Sequence, residues 1–416
     1  MINAKWGYYD FPPNAFFTAG AKTDVGSLHG RKGETIMSEK MGRRTFMKGA
    51  STAFMGLATA PLLSADRSYA RSEKSPSVTY RSLGKTGLKV SVVGMGVMNC
   101  SDPAVLKRAF DLGVNFYDTA RVYMGGKNEG LVGKAFQGKR DKVFIQTKFK
   151  VASSAKVNRA TVERSLKHLR TDYVDVLLAH SLKRPDEVCD PALTEFLQAM
   201  KKEGKARFTG FSCHTGMASL LKAAAKAKCH DVALVSYNFT HSSGLKEAIA
   251  LAADSGIGVV AMKTQAGGYK ASDMAGLNPH QAALKYVLMD RNVSTAIPGV
   301  TTIEQIEQCA AVMGTALSSN DSDALQKYDS HLRGRVCTMC GGCEGECPHG
   351  LNHTDFMRAV IYYDGYKNKE LAEEVFREEG LLEAAKRCSE CSSCSITCDR
   401  GVDIRAQMDW VKRVFA

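Results

Sequence analysis

The stretch "VFIQTKFKVASSAKVNRATVERSLKHLRTDYVDVLLAHS", Val143 to Ser181, holds two apolar runs separated by one helical pattern. The runs "VFIQTKF" and "VDVLLAHS" are continuous rather than alternating, as strands buried on both faces of a parallel sheet must be. Between them, "VNRATVERSLKHLR" carries apolar residues three and four apart, the period of an amphipathic helix. A strand, a helix and a strand in that order form one parallel crossover unit.

The pattern repeats outward from there. "VVGMGVM", "VNFYDTA", "ARFTGFSC", "VALVSYNF", "GIGVVAMKT" and "VSTAIPG" are further strand candidates, with helical segments such as "TIEQIEQCAAV" around them. Eight β/α units over residues 78–314 predict an α/β protein with a (β/α)8 TIM barrel. A doubly wound open sheet is the alternative. "TYRSLGKTGLKVS", Thr79 to Ser91, reads as a hairpin before the first barrel strand. Residues 315–330, with "TALSSNDSDAL", read as a polar linker. Residues 331–416 form a second, mainly helical domain, with patterns such as "TDFMRAVIYYD" and "KELAEEVFREEG".

Composition narrows the function classes. The chain has 416 residues, 44% hydrophobic and 24% charged, with a formal net charge of +13. No basic cluster is interleaved with aromatics, so the charge reads as a solvated surface and nucleic-acid binding is not expected. No run reaches the ~18 apolar residues of a membrane span. Near the N-terminus, "MGRRTFMKGA", Met41 to Ala50, puts Arg43 and Arg44 before the apolar run "GASTAFMGLATAPLLSA". "SYA", Ser68 to Ala70, follows as a small-x-small cleavage site. Residues 1–70 are therefore expected to be an N-terminal extension and a twin-arginine signal. They would engage the twin-arginine export machinery and direct the chain to the periplasm.

Strand ends carry chemistry in such barrels. They supply Asp118 and Tyr123 after the second barrel strand, Lys148 on the third and His180 after the fourth. A free phenol, with a pKa near 10, is a weak acid at neutral pH. A neighbouring ammonium favours the phenolate, so Lys148 is expected to lower the pKa of Tyr123 while Asp118 anchors Lys148. His180 can orient a carbonyl oxygen or move a proton.

"YDTARVYMGGKNEGLVGKAF", with Glu129 as its acidic residue, resembles the aldo/keto reductase signature, and "QTKF" and "DVLLAH" resemble the next two motifs. The resemblance spans roughly residues 78–312 and implies hydride transfer from NADPH or NADH to an aldehyde or ketone. Tyr123 would be the proton donor, within the tetrad Asp118, Tyr123, Lys148 and His180. "GFSCHT" resembles the nicotinamide-gripping motif, with Ser212 in place but Cys213 where the family has Asn. Tyr237 stands at the family's aromatic position on the sixth strand, and Gly96 in "GMGVM" lies where the family contacts its cofactor. "IPGVTTIEQIEQC" resembles the adenosine-phosphate motif, nominating Gly299, Thr301, Thr302 and Gln305. No Lys or Arg lies between Gly299 and Cys309, which leaves NADPH and NADH both open.

Thirteen cysteines complete the reading. Cys100, Cys189, Cys213, Cys229 and Cys309 are scattered, and Cys213 stands beside the expected nicotinamide position. "CTMCGGCEGECP" and "CSECSSCSITCD" are two C-x2-C-x2-C-x3-C runs, with Asp399 where the second would usually have Pro. Three x2-spaced thiols in one loop suit a cubane [4Fe-4S] cluster, and the fourth reaches the neighbouring cluster in two-cluster ferredoxins. One cluster would take Cys337, Cys340, Cys343 and Cys398, the other Cys388, Cys391, Cys394 and Cys347. Zinc is the alternative, but its knuckles pair two C-x2-C units across a gap. A branch of the aldo/keto reductase family carries such a C-terminal domain. Nicotinamide moves electron pairs and each cluster moves one, yet no flavin signal bridges them. The clusters are thus either structural or sensing elements of a carbonyl reductase, or a relay to a redox partner protein. The alternative function is electron transfer, with the barrel as a binding module.

Overall fold

The computed structural model describes residues 78–269 and 276–415. The predicted export signal falls outside them.

The chain enters through an antiparallel hairpin, β1 (Tyr80–Ser82) and β2 (Lys89–Ser91). Leu83, Leu88 and Val90 from this hairpin pack against Phe116, Val176, Leu178, Val232, Leu234, Val260 and Ile297, and so close the bottom of the barrel. Gly84 allows this fit. It has φ of +51°, and a Cβ there would lie 2.3 Å from the Gly258 nitrogen.

Eight parallel strands follow: β3 (Met95–Gly96), β4 (Phe116–Asp118), β5 (Phe144–Phe149) and β6 (Val174–Ala179), then β7 (Ala206–Cys213), β8 (Val232–Ser236), β9 (Gly258–Met262) and β10 (Val293–Ala296). Each pairs with the next in sequence order. Bridges from Val93 to Ala296 and from Gly96 to Gly299 bring the first strand onto the last. The open-sheet alternative is therefore excluded, and the (β/α)8 barrel holds. Alternate strand residues face the helices, where Phe211, Val235 and Ala261 join one continuous outer core.

The predicted linker is different from the expectation. Residues Ser319–Leu332 form a helix, begun by a capping box in which Ser318 and Asp321 bond each other's backbone. It lies against the helix Pro279–Met289 through the Lys285–Asp321 ion pair. Its polar surface hides an apolar stripe of Ala324, Leu325, Tyr328 and Leu332, all buried.

The C-terminal region is mainly helical, as expected. Helices His353–Val360, Lys369–Glu378, Leu381–Cys388 and Ile404–Phe415 enclose a core of Phe356, Val360, Leu371, Val375, Phe376, Ile404 and Met408. A short antiparallel ladder joins β11 (Cys343–Glu344) to β12 (Thr397–Cys398).

This region forms a ceiling over the C-terminal ends of the barrel strands. Lys150 and Lys183, just past β5 and β6, both ion-pair with Glu379, and Lys183 also bonds Asp355 at 2.6 Å. The Arg358 guanidinium joins Asp355 and Glu379 at 3.1 and 3.2 Å. Asn238 and Thr240 bond Thr338 beside the first cysteine run. Three cations hold Glu379 down at about 2, against the desolvation that opposes them. Removing one partner of such a buried network leaves the others uncompensated. We expect Glu379→Gln to destabilise the ceiling by about 3–5 kcal/mol, read as a lower, broader thermal transition. An unchanged melting profile would show that the network does not hold the ceiling.

Candidate active site

The barrel sets the tetrad by strand parity. Asp118 ends β4 and Lys148 lies on the adjacent β5, on the face turned to the interior. Lys148 Nζ lies 2.7 Å from Asp118 Oδ2 and donates to the Thr119 carbonyl at 2.7 Å. Gln146 Nε2 donates to the other Asp118 oxygen at 2.7 Å. Lys148 Nζ then reaches Tyr123 Oη at 3.3 Å. The Tyr123 ring meets His180 edge-on, with centroids 5.9 Å apart. All four predicted residues thus meet at one mouth.

Tyr123 is carried by a turn in which Met124, Gly125 and Gly126 all have positive φ. A Cβ on Gly126 would lie 1.4 Å from the Arg121 guanidinium. Arg121 bonds the fully buried Glu129 at 2.6 Å, and Glu129 accepts from Thr147 Oγ1 at 2.7 Å. The acidic residue of the signature is therefore a buried anchor for the loop that presents Tyr123.

The electrostatics correct one expectation. Burial pushes the Tyr123 phenol well above its ordinary value, and Asp118 pushes it further. Burial also lowers the Lys148 ammonium and raises the Asp118 carboxyl. Burial and the Asp118 charge outweigh the neighbouring cations, so the phenol is raised rather than acidified. His180 is held well below its ordinary value by burial and by Lys148, Lys150 and Arg358. Its neutral ring leaves Nδ1 without a partner among the described residues.

A cavity of about 510 Å³ opens between the loop after β10 and the ceiling. Gly299, Thr301 and Gln305 line it, with Asn99, Thr264 and the ceiling turn at residues 364–367. Thr302 caps the helix Ile303–Ala310, accepting from Gln305 N, so its hydroxyl is already used. Gln305 Oε1 accepts from Thr301 N at 2.7 Å, which staples the turn. Ser212 is buried at the end of β7, and its hydroxyl accepts from Ser181 N at 2.9 Å.

Two sequence readings, Tyr237 and Cys213, separate from the mouth here. Tyr237 packs its ring against Tyr286 in the helix layer and bonds the Asp290 carboxylate at 3.3 Å. Cys213 shares that outer core, and burial raises its thiol. Gly96 stays at the mouth, paired with Asp118 and bridged to Gly299, and it serves barrel closure: its nitrogen bonds the Pro298 carbonyl at 3.0 Å, and a Cβ would lie 3.0 Å from the Ile297 oxygen. Strand parity would have found what the motif missed. Ser236, one residue before Tyr237, shares the face of Val232 and Leu234, and its buried hydroxyl has no partner among the described residues. Thr264 Oγ1 and His214 Nδ1 are likewise buried and unpartnered.

The eight cysteines gather as two sets. Cys337, Cys340, Cys343 and Cys398 line a cavity of about 160 Å³ that His214 and Met357 also border. Cys347, Cys388, Cys391 and Cys394 line another. The crossing follows from the ladder, where Cys343 pairs with Cys398. Among the described residues no three potential ligands converge on a single ion position. The thiols instead surround a space, as a polynuclear cluster requires. Burial and neighbouring thiols push Cys337 up to about 12 and Cys343 to about 11, protons that a bound cluster would have to displace; four thiols around each cavity are the donor set such a group needs.

Residues 101–275 and 269–330 match the aldo/keto reductase family, and residues 334–402 match the 4Fe-4S dicluster domain. An L-galactose dehydrogenase of Arabidopsis thaliana is 27% identical over 305 residues, covering 61% of this chain and 94% of its own. A methylglyoxal reductase of Escherichia coli O157:H7 is 28% identical over 264 residues, covering 59% and 96%. An aldo-keto reductase from Klebsiella pneumoniae, solved in complex with NADPH, superposes with a TM-score of 0.52 at 25% identity, over 60% of this chain and 95% of that one. The chain belongs to the aldo/keto reductase family, a family of NAD(P)H-dependent oxidoreductases, and carries an iron-sulfur domain at its C-terminal end.

Proposed function

We propose that the protein reduces an aldehyde or ketone by hydride transfer from NAD(P)H, with Tyr123 as proton donor. The observation that carries this reading is the chain Asp118–Lys148–Tyr123 beside a neutral His180. The nucleotide occupies the cleft of Gly299, Thr301 and Gln305, and Ser212 faces its nicotinamide. The carbonyl oxygen sits between the Tyr123 hydroxyl and the His180 ring. As hydride arrives at carbon, the new O–H bond forms at the expense of the Tyr123 O–H bond. The ammonium 3.3 Å away stabilises the phenolate that results. A neutral His180 can donate a hydrogen bond to the oxygen without competing for that proton. The reading fails if anaerobically purified protein oxidises neither NADPH nor NADH with any of a broad panel of aldehydes and ketones.

Cys337, Cys340, Cys343 and Cys398 would hold one [4Fe-4S] cluster, and Cys347, Cys388, Cys391 and Cys394 a second. When bound, these groups supply one-electron chemistry. The second set favours a relay to a partner protein, because Cys394 is exposed while the first set is bordered by the barrel residue His214. About eight iron and eight sulfide per chain are expected.

The arginine pair Arg43–Arg44 supports export by the twin-arginine route to the periplasm. Cofactors assembled in the cytoplasm give a physical reason to fold before crossing. Retention of precursor in the cytoplasm on replacing both arginines by Lys tests this.

Nucleotide choice is open to one substitution. Gln305→Arg puts a guanidinium at a cleft position that has no cation in its own helix. One charge-assisted contact to a 2′-phosphate, about 1.5–3 kcal/mol, should raise the NADPH-over-NADH ratio roughly tenfold or more. An unchanged ratio in nucleotide titrations would place the 2′-position elsewhere.

A further inference from the structure

The ceiling brings a buried cation to the tetrad that no barrel motif supplies. Arg358, on the helix His353–Val360, has a side chain only 6% exposed. Its Nη2 bonds Asp355 and Glu379, but its Nε is buried without a partner among the described residues. A buried guanidinium donor left empty is costly unless something fills it. Its position is fixed from both sides. Glu379 bonds Lys150, two residues past Lys148, and Lys183, three past His180. The Arg358 charge is felt at Tyr123, His180 and His214.

A second cation meets the ceiling close by, acting with Arg358 on the same residue, Tyr362. Lys263 follows β9 with φ of +55°, a left-handed conformation that is strained for a residue with a Cβ. Its Nζ lies 3.1 Å from Tyr362 Oη and 4.7 Å from that ring's centre. Tyr362 belongs to the ceiling and is buried. Beyond the Asp118–Lys148 pair, four cations (Lys150, Lys183, Lys263 and Arg358) therefore meet only two carboxylates, Asp355 and Glu379. Glu374 and Glu378, the next acids along the ceiling, are held above the ordinary carboxyl value by burial, with mutual repulsion at Glu378. Cations thus outnumber carboxylates where the ceiling meets β5, β6 and β9, and against burial Lys263 and Arg358 pull the Tyr362 phenol below its ordinary value. The cleft that Gly299 and Gln305 line is bordered by neither Arg358 nor Lys263.

We propose that the carbonyl substrate carries a carboxylate, held by the free Nε–H of Arg358 in a space that Lys263 also makes positive. This rests on the carbonyl-reductase reading and names the substrate class of that site. The substrate would be a small oxo acid or an aldehyde acid, its charged end toward the ceiling and its carbonyl toward Tyr123 and His180.

The test uses the intact holoprotein, clusters retained, in two arms. In the first, benzoate and neutral benzamide are titrated into protein saturated with oxidised nucleotide. Benzoate should bind at least tenfold more tightly, and Arg358→Met should bring the two within about threefold. Lys263→Met, outside the Glu379 network, should narrow the ratio in the same direction, which keeps the test valid if Arg358→Met does not fold. In the second arm, 4-carboxybenzaldehyde should exceed benzaldehyde in kcat/KM by tenfold or more. Equal binding of benzoate and benzamide to the native protein overturns the proposal without any variant. So does an Arg358→Met protein that keeps the carboxylate preference but loses nucleotide affinity, since Arg358 would then serve a nucleotide phosphate. If benzoate is preferred while neither aldehyde is reduced, the anion site stands and the carbonyl-reductase reading fails.

Discussion

Tyr123→Phe is expected to lower NAD(P)H-driven carbonyl reduction by about 10²–10⁴-fold, the usual worth of a positioned general acid. The change removes one oxygen and leaves the ring. That ring lies edge-on to His180 and under the Lys148 ammonium, 4.8 Å from its centre, so neither cavity nor collapse follows. Nucleotide affinity should be unchanged, which separates lost chemistry from lost binding. The pH profile gives an independent check. A proton donor must act in its protonated form, and burial with Asp118 raises the Tyr123 phenol above its ordinary value of about 10. The native rate should therefore hold from neutral pH to about pH 10 and fall only above it. A fall beginning near pH 8 would mean that Lys148 does acidify the phenol. Activity of the Phe variant within tenfold of native would remove Tyr123 as the donor.

The barrel was legible because its signal is local. Strands buried on both faces must be apolar throughout, and eight such runs with intervening helices suit a closed barrel better than an open sheet, a choice that the bridges from Val93 and Gly96 to the last strand complete. The tetrad was legible for a related reason: parity and strand ends fix which side chains meet. What failed were inferences that needed the third dimension. Tyr237 matched a family position, yet its neighbour Ser236 has the inward parity. Lys148 was expected to tune Tyr123, but the sequence cannot weigh desolvation of a buried pair against attraction. The polar segment at 315–330 concealed a helix whose apolar stripe only packing reveals. The ceiling carried no signal at all. Arg358 and Tyr362 sit in an ordinary amphipathic pattern, and only docking turns them toward Tyr123 and Lys148. The cysteine crossing was legible from the spacing, because runs of this spacing lend their fourth thiol to the neighbouring cluster in two-cluster ferredoxins, and the ladder pairing of Cys343 with Cys398 agrees.

Because the ceiling and the cysteine sites are one folded unit, cluster ligands should control the barrel's chemistry even where they take no part in it. Cys340→Ser combined with Cys391→Ser is expected to strip most of the iron. The free energy of filling such sites is folding free energy, so the C-terminal region should then open while the barrel, with its own continuous core, stays folded. Limited proteolysis should cut beyond residue 334 and leave the barrel intact. With Arg358 no longer held over the tetrad, KM for a carboxylated carbonyl should rise tenfold or more and kcat should change less, since Tyr123, Lys148 and His180 all belong to the barrel. Purely relaying clusters would give the opposite outcome: partner-linked activity lost, with both NAD(P)H-driven constants unchanged. Single substitutions test the crossing itself. Cys398→Ser should damage the site of Cys337, Cys340 and Cys343, its ladder partner, while Cys347→Ser damages the site of Cys388, Cys391 and Cys394. Iron should fall by about half in each, from roughly eight per chain. If Cys398→Ser loses the cluster that Cys391→Ser loses, rather than the one that Cys340→Ser loses, the crossed ligation is wrong and each run closes on its own fourth cysteine.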